Sequence, residues 1–454
     1  MRITLNKHFL TMVAGLALLS TASAPSGAAA GLSSLESDEL QVSYSLVTSE
    51  FYRKVDQQTL LDGAHAQLVA YLVKNGIKSP SVPTVHALDN PSLNARGLER
   101  EVESVVNTYG AKLGSRELTY AAIAGVLASV KDKYTTFLTP KEYAELNESL
   151  DGGNFSGVGV AIQIDDATKQ LRVGEVIPGG PAEKAGLQPG DFILDVDGHP
   201  TKGLTTEDDS KLLRGKEGSI VKVTVQRGTT VLDPISITRA VIHQPSVYSK
   251  MLDNGIGYAR LTVFGSTTST ELAAALDKLQ AAGAKAIVLD LRNNGGGYLN
   301  AAIEVSSKFI PSGPIVSVES RGGSNTQYDA EDDAIPAKPL AVLVNGYTAS
   351  ASEITSGAIQ DSGVGELIGE RTYGKGVVQS IHPLPDGSAV KITSARYLTP
   401  AGRDINLKGI TPDIVTVEPK DARYGDPSTD PQLQAAVSYL QGRLAKLNAA
   451  APSN

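Results

Sequence analysis

The segment PLAVLVNGYTASASEITSGAIQDSG, residues 339–363, joins an apolar run, a short polar loop and a run with helical spacing. The apolar run predicts a buried strand, and the residues from Glu353 onward predict a helix. Residues 285–310 repeat this order, with KAIVLDL, then the loop NNGGG after Arg292, then YLNAAIEVSSKFI. Fully apolar strands that alternate with helices are typical of a layered α/β core.

The regions around this core have other patterns. Residues 31–150 are mainly helical in pattern. Two weakly similar segments, 56–76 and 116–140, predict either paired helices around a proline-containing insert at 79–92 or two ordinary amphipathic helices. After a glycine-rich hinge at 151–157, short β-like runs are separated by Gly and Pro. We therefore predict an α+β multidomain chain, with helices at 31–150, a β-rich domain at 151–242, the α/β core at 243–420 and a helical tail at 421–454 that packs on the core or on a partner.

The N-terminus has the pattern of an export signal. Arg2 and Lys7 precede the apolar run FLTMVAGLALL, and small residues follow. Cleavage sites are offered at 22–24 and 28–30, so residues 1–30 predict a signal peptide, with an uncleaved membrane anchor as the alternative. We expect an exported protein that acts in the periplasm or elsewhere outside the cytoplasm.

Composition excludes several functions. The formal charge of −8 makes nucleic acid an unsuitable partner. The chain contains no cysteine, which excludes disulfides, a cysteine nucleophile and thiolate metal sites. Acidic residues show no ligand spacing, so neither a metal nor another cofactor is predicted.

Three hydroxyls in the first segment are candidate nucleophiles: Thr348, Ser350 and Ser352. Ser350 has the best setting, because it follows the predicted strand and opens the predicted helix. The N-terminus of a helix offers free N–H groups to a developing oxyanion, and Ala351 would supply one. The glycine loop at 295–297 would supply another. Each hydroxyl has a purely structural alternative as a helix N-cap, and NNGGG as a turn.

A serine nucleophile needs a base. His243 and His382 are the only histidines in or near the core region, and neither stands in a triad context. A lysine serves instead where burial and positive neighbours lower its pKa. Lys375 stands between two glycines, and Gln379 lies four residues further on, where it could hydrogen-bond the lysine amine. The alternative for Lys375 is a solvated turn.

Several motifs together resemble the carboxyl-terminal processing peptidases. These are KDKYTTFLTP (131–140), LDLRNNGGG (289–297), TASASEI (348–354), ERTYGKGVVQ (370–379), ARYLTPAGRDI (395–405) and GITPDI (409–414). The resemblance implies a crotonase-like α/β protease core, with Ser350 as nucleophile, Lys375 as general base and Gln379 supporting it. It further implies oxyanion donors at Ala351 and at a glycine of the 295–297 loop, foremost Gly296. This sequence departs from the family at Gly295, where proline is frequent, and at Thr348, where the motif has serine.

The β-rich domain resembles a PDZ domain in two segments, FSGVGVAI (155–162) and VIPGGPAEKAGLQPGDFILDVDG (176–198). PDZ domains add a peptide as an extra strand and bind its free carboxylate in a backbone nest. Here Gly157, Val158, Gly159 and Val160 would form the nest, and Val158, Val160 and Ile162 would line the pocket. The alternative is a structural β-module without a ligand.

These inferences combine into a prediction of a serine–lysine endopeptidase. Its PDZ domain would bind apolar C-terminal tails of protein substrates. Two other classes stay open, a catalytically silent PDZ scaffold and an acyl-thioester enzyme on a crotonase-like fold. The family resemblance and the helices at both ends together suggest a homodimer.

Overall fold

The computed structural model describes residues 31–150, 155–165, 168–177, 179–242, 245–417 and 425–450. The predicted signal at 1–30, His243 and most of the predicted hinge at 151–157 lie outside them. Within the described part of the chain, no helix is both long enough and apolar enough to cross a membrane.

The described chain begins with helices that bury their apolar faces against each other. They are α1 (Ser34–Glu50), α2 (Gln57–Lys74), α3 (Pro91–Leu113) and α4 (Ser115–Ser129). Of the two alternatives for 56–76 and 116–140, the paired helices are observed, because α2 and α4 pack closely at two glycines. A Cβ placed on Gly125 would lie 2.4 Å from the carbonyl oxygen of Gly63.

The close approach of α2 and α4 predicts the effect of Gly125→Ala. The added methyl group has no room beside the backbone of Gly63, so the helices must separate. We expect a loss of about 1–3 kcal/mol in the free energy of unfolding, measured by chemical denaturation. Gly442→Ala is the control, because nothing lies within 4 Å of the added atom and alanine favours a helix. Equal stability of Gly125→Ala and wild type would contradict the packing described here.

The next segment connects the helices to the remainder of the chain. Strand β1 (Thr136–Leu138) pairs with a strand of the core, and α5 (Pro140–Leu150) follows. Residues 136–138 thus leave the helical region and join a core sheet, which brings the segment 132–134 beside the site described below.

The β-rich domain folds as a small sheet with two short helices. Its elements are β2 (Phe155–Gly157), β3 (Val160–Ile164), β4 (Leu171–Val176), α6 (Pro181–Lys184), β5 (Phe192–Val196), β6 (His199–Pro200), α7 (Thr206–Leu213), β7 (Ile220–Arg227), β8 (Thr230–Val231), β9 (Ile235–Thr238) and β10 (Ala240–Ile242). Strand β3 lies at an edge of the main sheet, next to β4, and α7 runs beside it. Strands β2 and β10 form a separate pair where the chain enters and leaves the domain.

The core has two sheets with helices between them. Its elements are β11 (Val247–Leu252), β12 (Ile256–Leu261), α8 (Thr268–Ala281), β13 (Ala286–Asp290), α9 (Leu299–Ser307), β14 (Pro314–Ser320), β15 (Asn325–Asp329), β16 (Leu340–Val344), α10 (Ala351–Ser362), β17 (Glu366–Gly369), β18 (Val377–Pro383), β19 (Ala389–Leu398) and β20 (Ile414–Val415). The larger sheet has the order β11-β12-β13-β16-β17-β20, parallel from β12 onward. The second sheet has the order β1-β19-β14-β15, with β18 also on β19. Helices α8, α9 and α10 share one apolar core with both sheets.

The tail packs on the core. Helix α11 (Pro431–Ala450) covers the other face of the larger sheet through Leu433, Ala436 and Leu440. A buried ion network fixes its start, because Arg292 pairs with both Asp290 and Asp430, at 2.6 Å and 2.7 Å. This arrangement holds the end of β13, and therefore the glycine loop that follows it, in place.

Candidate active site

The three candidate hydroxyls have different surroundings. Thr348 Oγ1 donates to the carbonyl oxygen of Leu291 at 2.9 Å, and Ser352 Oγ donates to that of Asn294 at 3.0 Å. Both side chains are fully buried and bind the two strand–helix loops together. Ser350 is half-buried, and its Oγ donates to no acceptor in the part of the chain that the structure describes. Of the three, Ser350 is therefore the hydroxyl that is open to a substrate.

Ser350 stands at the sharp turn between β16 and α10. Its backbone has φ 58° and ψ −118°, a conformation that costs free energy for a residue with a side chain. Two contacts hold it there. Its N–H donates to Glu353 Oε2 at 3.0 Å, and its carbonyl oxygen accepts from the Tyr397 hydroxyl at 3.1 Å. The strained turn points the Ser350 side chain into a cavity.

This cavity has a volume of about 360 Å³. It lies where the end of α5, the glycine loop, the start of α10 and strands β18 and β19 meet. Its lining includes Gly295, Gly296, Gly297, Ser350, Ala351, Lys375, Gln379, Lys391 and Tyr397. The proposed nucleophile, base, supporting glutamine and oxyanion donors thus come together in one cavity.

The glycine loop lies directly against the start of α10. A Cβ placed on Gly296 would be 2.8 Å from the backbone nitrogen of Ala351. The N–H of Ala351 donates to no described acceptor, as the oxyanion role requires. The N–H of Gly296 is already engaged, because it donates to Asn294 Oδ1 at 2.9 Å. Among the described residues the N–H groups of Gly295 and Gly297 have no acceptor, so the loop offers donors on both sides of Gly296.

The conformation and close surroundings of Gly296 predict that Gly296→Ala strongly lowers kcat. Its φ of +98° disfavours a side chain, and a methyl group would lie 2.8 Å from Ser350 Cβ and 2.7 Å from the carbonyl oxygen of Ala349. We expect kcat for peptide cleavage to fall on the order of tenfold to a hundredfold. Gly313→Ala is the matched control, since Gly313 has the same φ of +98° and nothing within 4 Å. Equal kcat values for the two variants would show that contact with Ser350 is unimportant.

Lys375 lies in the cavity on a loop between Thr372 and β18. Its ammonium nitrogen is 4.8 Å from the centre of the Tyr134 ring, and no described hydrogen bond joins it to Ser350 Oγ. Burial lowers the pKa of Lys375 to about 8, helped by the positive charge of Lys391. The negative charges of Asp132 and Glu353 oppose this shift. A substantial fraction of Lys375 is therefore neutral near pH 8, as a base must be.

Gln379 lines the same cavity but does not bind the lysine. Its Nε2 donates to the carbonyl oxygen of Val377 at 3.2 Å. The expected hydrogen bond between Gln379 and Lys375 is absent from the described contacts. The lone candidate histidine that the structure describes, His382, pairs with Glu50 at 2.8 Å and does not line the cavity.

Sequence reasoning missed Glu353, which connects the loop that carries Ser350 to the loop that carries Lys375. This fully buried carboxylate accepts the N–H groups of Ser350, Gly374 and Lys375 and the hydroxyl of Thr372. Burial raises its pKa above the usual range, although these four donors act in the opposite direction. The spacing Ser350-x-x-Glu353 is that of a capping box, which could have indicated the contact to Ser350. Nothing in the local sequence indicates the contacts to 372–375.

The candidate PDZ ligand site is formed in part. The N–H groups of Val158 and Gly159 donate to no described acceptor, which suits a carboxylate nest. Val160 and Ile162 on the edge strand β3 are half-buried, so they are available to a ligand. Val158 differs from expectation, because its side chain is only 2% exposed and packs in the domain core. Gly157 belongs to β2 and pairs with Ala240.

Among the described residues, no group of three or more His, Asp or Glu side chains is arranged to hold a metal ion.

Comparisons with known proteins bear on this arrangement. The model for peptidase family S41 matches residues 255–416, and a PDZ domain model matches residues 172–227. A carboxyl-terminal-processing protease of Picosynechococcus is 41% identical over 333 residues, which cover 72% of this chain and 80% of that protein. The chain belongs to peptidase family S41.

Two further relatives agree. The carboxy-terminal processing protease CtpA of Bacillus subtilis is 38% identical over 346 residues, which cover 76% of this chain and 72% of that protein. A solved structure of a putative S41 protease from Bacteroides fragilis has a TM-score of 0.51 and 17% identity, and covers 88% of this chain and 97% of that one. The latter shows the fold alone. The predicted α+β multidomain fold, the family resemblance and the assignment as a serine-type peptidase are thus confirmed.

Proposed function

We propose that this S41 peptidase is an endopeptidase in which Ser350 is the nucleophile and Lys375 the general base. The observation that carries the proposal is the cavity they share. Of the three candidate hydroxyls, Ser350 is the one that is open to this cavity. Lys375 lines the same cavity, and the pKa of its amine is lowered to about 8. Histidine is not needed, because a neutral lysine performs the same proton transfers.

The proposed reaction begins when the neutral amine of Lys375 accepts the proton of Ser350 Oγ. The oxygen attacks the carbonyl carbon of a peptide bond, and the oxyanion is bound by N–H groups. The tetrahedral intermediate collapses, the C–N bond breaks, and Lys375 donates its proton to the leaving amine. Water, deprotonated by Lys375, then hydrolyses the acyl-enzyme and releases Ser350.

The first step requires Lys375 to move from the Tyr134 ring toward Ser350 Oγ. Its protonated form is attracted by the ring, and that attraction is lost with the charge. The neutral form is therefore the one that is released to face Ser350. Gln379, which lines the same cavity, is placed to hold the amine there after giving up its contact with Val377.

Ala351 N–H is the first proposed oxyanion donor, and a glycine of the 295–297 loop supplies the second. Gly296 would have to leave Asn294 Oδ1 to serve. Gly295 and Gly297 have no such contact to give up within the described chain. The loop therefore has two routes to a complete oxyanion hole.

The PDZ domain is proposed to bind the C-terminal tails of substrates. The outer edge of β3 is unpaired within the described sheet, so a peptide can add to it as a further strand. The free N–H groups of Val158 and Gly159 would then bind the terminal carboxylate. Val160 and Ile162 favour an apolar tail. The relatives' names, which refer to carboxyl-terminal processing, support such substrates here.

The location of action is proposed to be outside the cytoplasm. The export pattern at 1–30 supports this, with cleavage releasing the enzyme in the periplasm or leaving it attached to the membrane if cleavage fails.

A digestion time course tests the proposal. The purified chain is incubated with casein, and fragments are identified by mass spectrometry, in parallel with Ser350→Ala and with Ser362→Ala as a matched control at the other end of α10. We expect fragments from wild type and Ser362→Ala only. Fragments from Ser350→Ala would exclude Ser350 as nucleophile. Turnover of acyl-thioesters without peptide cleavage would favour the thioester enzyme instead.

Peptide binding tests the PDZ proposal separately. A fluorescent peptide with an apolar, free C-terminus should bind Ser350→Ala, and its C-terminally amidated form should bind at least tenfold more weakly, because the nest binds a carboxylate. Equal affinity for both forms would exclude the nest.

A further inference from the structure

A second lysine shares the cavity with Ser350 and Lys375. Lys391 is the third residue of β19 and lies between its partners Thr136 on β1 and Ile381 on β18. Its side chain is half-buried and lines the cavity. Positive charge at such a position is costly to bury without a partner.

Lys391 has no described partner. Within the part of the chain that the structure describes, its Nζ forms no hydrogen bond and no ion pair. By contrast, Arg396 on the same strand pairs with Glu319 at 2.6 Å, and Arg292 is paired on two sides. Lys391 is therefore a cation without a described partner that lines the same cavity as Lys375.

The other charges near Lys375 are already engaged. Glu353, from α10, is saturated by four donors, as described above. Asp132, from the segment before β1, accepts the hydroxyls of Thr135 at 2.8 Å and Thr393. These two carboxylates still favour a protonated Lys375, and the cation of Lys391 acts against them.

The remaining titratable neighbours are Lys133 and Tyr134, from the segment before β1, and Tyr397, from β19. Lys133 donates to the Tyr373 hydroxyl at 2.8 Å, and it adds a second, more exposed positive charge. The Tyr134 ring, with Lys375 at 4.8 Å, favours the protonated form. The Tyr397 hydroxyl is fully buried and its pKa lies well above the usual value, so it stays neutral.

We propose that Lys391 is a positioning residue whose positive charge keeps the proposed base Lys375 neutral at working pH. A cation beside an amine disfavours protonation of that amine, and a half-buried site screens the effect only in part. The pKa of Lys375 is lowered, mainly by burial and next by the charge of Lys391, which agrees with this role. Burial lowers the pKa of Lys391 as well. This inference rests on the proposed role of Lys375.

The charge of the side chain at position 391 and its shape are expected to have different effects on Lys375. Lys391→Met removes the charge and keeps most of the side-chain length. Lys391→Arg keeps the charge. Loss of one positive charge from the shared cavity should raise the pKa of Lys375 by about one unit. Activity near pH 7 should then fall about tenfold in Lys391→Met, and activity at high pH should be retained.

Competitive labelling of lysine amines with acetic anhydride tests this without activity. In the Ser350→Ala background, the labelling of Lys375 is measured by mass spectrometry from pH 6 to about 11, with Lys391 as in wild type, Met or Arg. We expect the midpoint for Lys375 to rise by about one unit in Lys391→Met and to stay unchanged in Lys391→Arg. An unchanged midpoint in Lys391→Met overturns the proposal.

The pH profile of kcat/KM gives the second readout, in chains with Ser350 intact. Its rising limb should shift with the labelling midpoint, and its alkaline plateau should change less than about threefold. If Lys391→Met lowered the alkaline plateau of kcat/KM without shifting the rising limb of the profile, Lys391 would be a substrate contact or a structural residue. That result would overturn the proposal. Failure of the underlying function is recognised separately, because Lys375→Ala would then keep its activity.

Discussion

Lys375→Met is expected to lower kcat/KM for peptide cleavage as far as Ser350→Ala does, by about three orders of magnitude or more. Nucleophile and base act as a unit, so removing either one removes the same transition state. For the same reason the double variant Ser350→Ala, Lys375→Met should be no slower than either single variant. The measurement is steady-state cleavage of an unfolded protein or a fluorogenic peptide.

Methionine is chosen because it keeps the apolar contacts of the lysine stem, including those beside Tyr134. The matched control is Lys408→Met, at an exposed position on a neighbouring loop, which should keep wild-type rates. Retention of most activity in Lys375→Met would show that another group is the base. Additive losses in the double variant would show that the two residues act independently.

Glu353→Gln is expected to lower kcat at least a hundredfold and the free energy of unfolding by about 3 kcal/mol. The carboxylate accepts four donors, and a glutamine amide has a single acceptor oxygen. Two donors would then face an NH₂ group in a buried site, at a cost of about 1–3 kcal/mol each. The loops that carry Ser350 and Lys375 would separate, and small displacements of reacting groups are costly in rate.

Thr372→Val gives a graded comparison, because it removes one donor to Glu353 and leaves the carboxylate in place. It also removes the acceptor of the Ile410 N–H, at 2.7 Å, so we expect it to cost about 1–3 kcal/mol and only a small part of kcat. Glu103→Gln, at an exposed position on α3, controls for the loss of a negative charge. A wild-type kcat in Glu353→Gln would show that Glu353 is not needed to hold the loops of Ser350 and Lys375 together. The measurements are chemical denaturation and steady-state kinetics.

The sequence carried much of the fold because its signals are local. The apolar runs at 286–290 and 340–344 are strands, and the runs after each loop are helices. Both could be predicted because the spacing of apolar residues differs between strands and helices and can be recognised within a short segment. The position of Ser350 between a strand and a helix follows from the same local pattern. The glycine loop lies beside it because the two strands, β13 and β16, are neighbours in one parallel sheet.

The parts of the site that could not be predicted from the sequence depend on contacts between distant segments. Tyr134 and Lys391 lie 216 and 41 positions from Ser350 (350 − 134 and 391 − 350), and they reach the site through the pairing of β1 with β19. No periodicity in either segment indicates that pairing. The direction of the Gly296 N–H likewise depends on the Asn294 side chain, and the amide of Gln379 donates to the carbonyl oxygen of Val377 instead of binding Lys375.

The most direct test of the central claim is covalent labelling of Ser350 by a fluorophosphonate as a function of pH, followed by peptide mass spectrometry. We expect one label, on Ser350. Its rate should rise with pH through a midpoint near 8, because the neutral fraction of Lys375 increases as pH passes its pKa of about 8. The rise should be lost in Lys375→Met. Equal labelling of wild type and Lys375→Met at every pH, or a label on another residue, would contradict the serine–lysine mechanism.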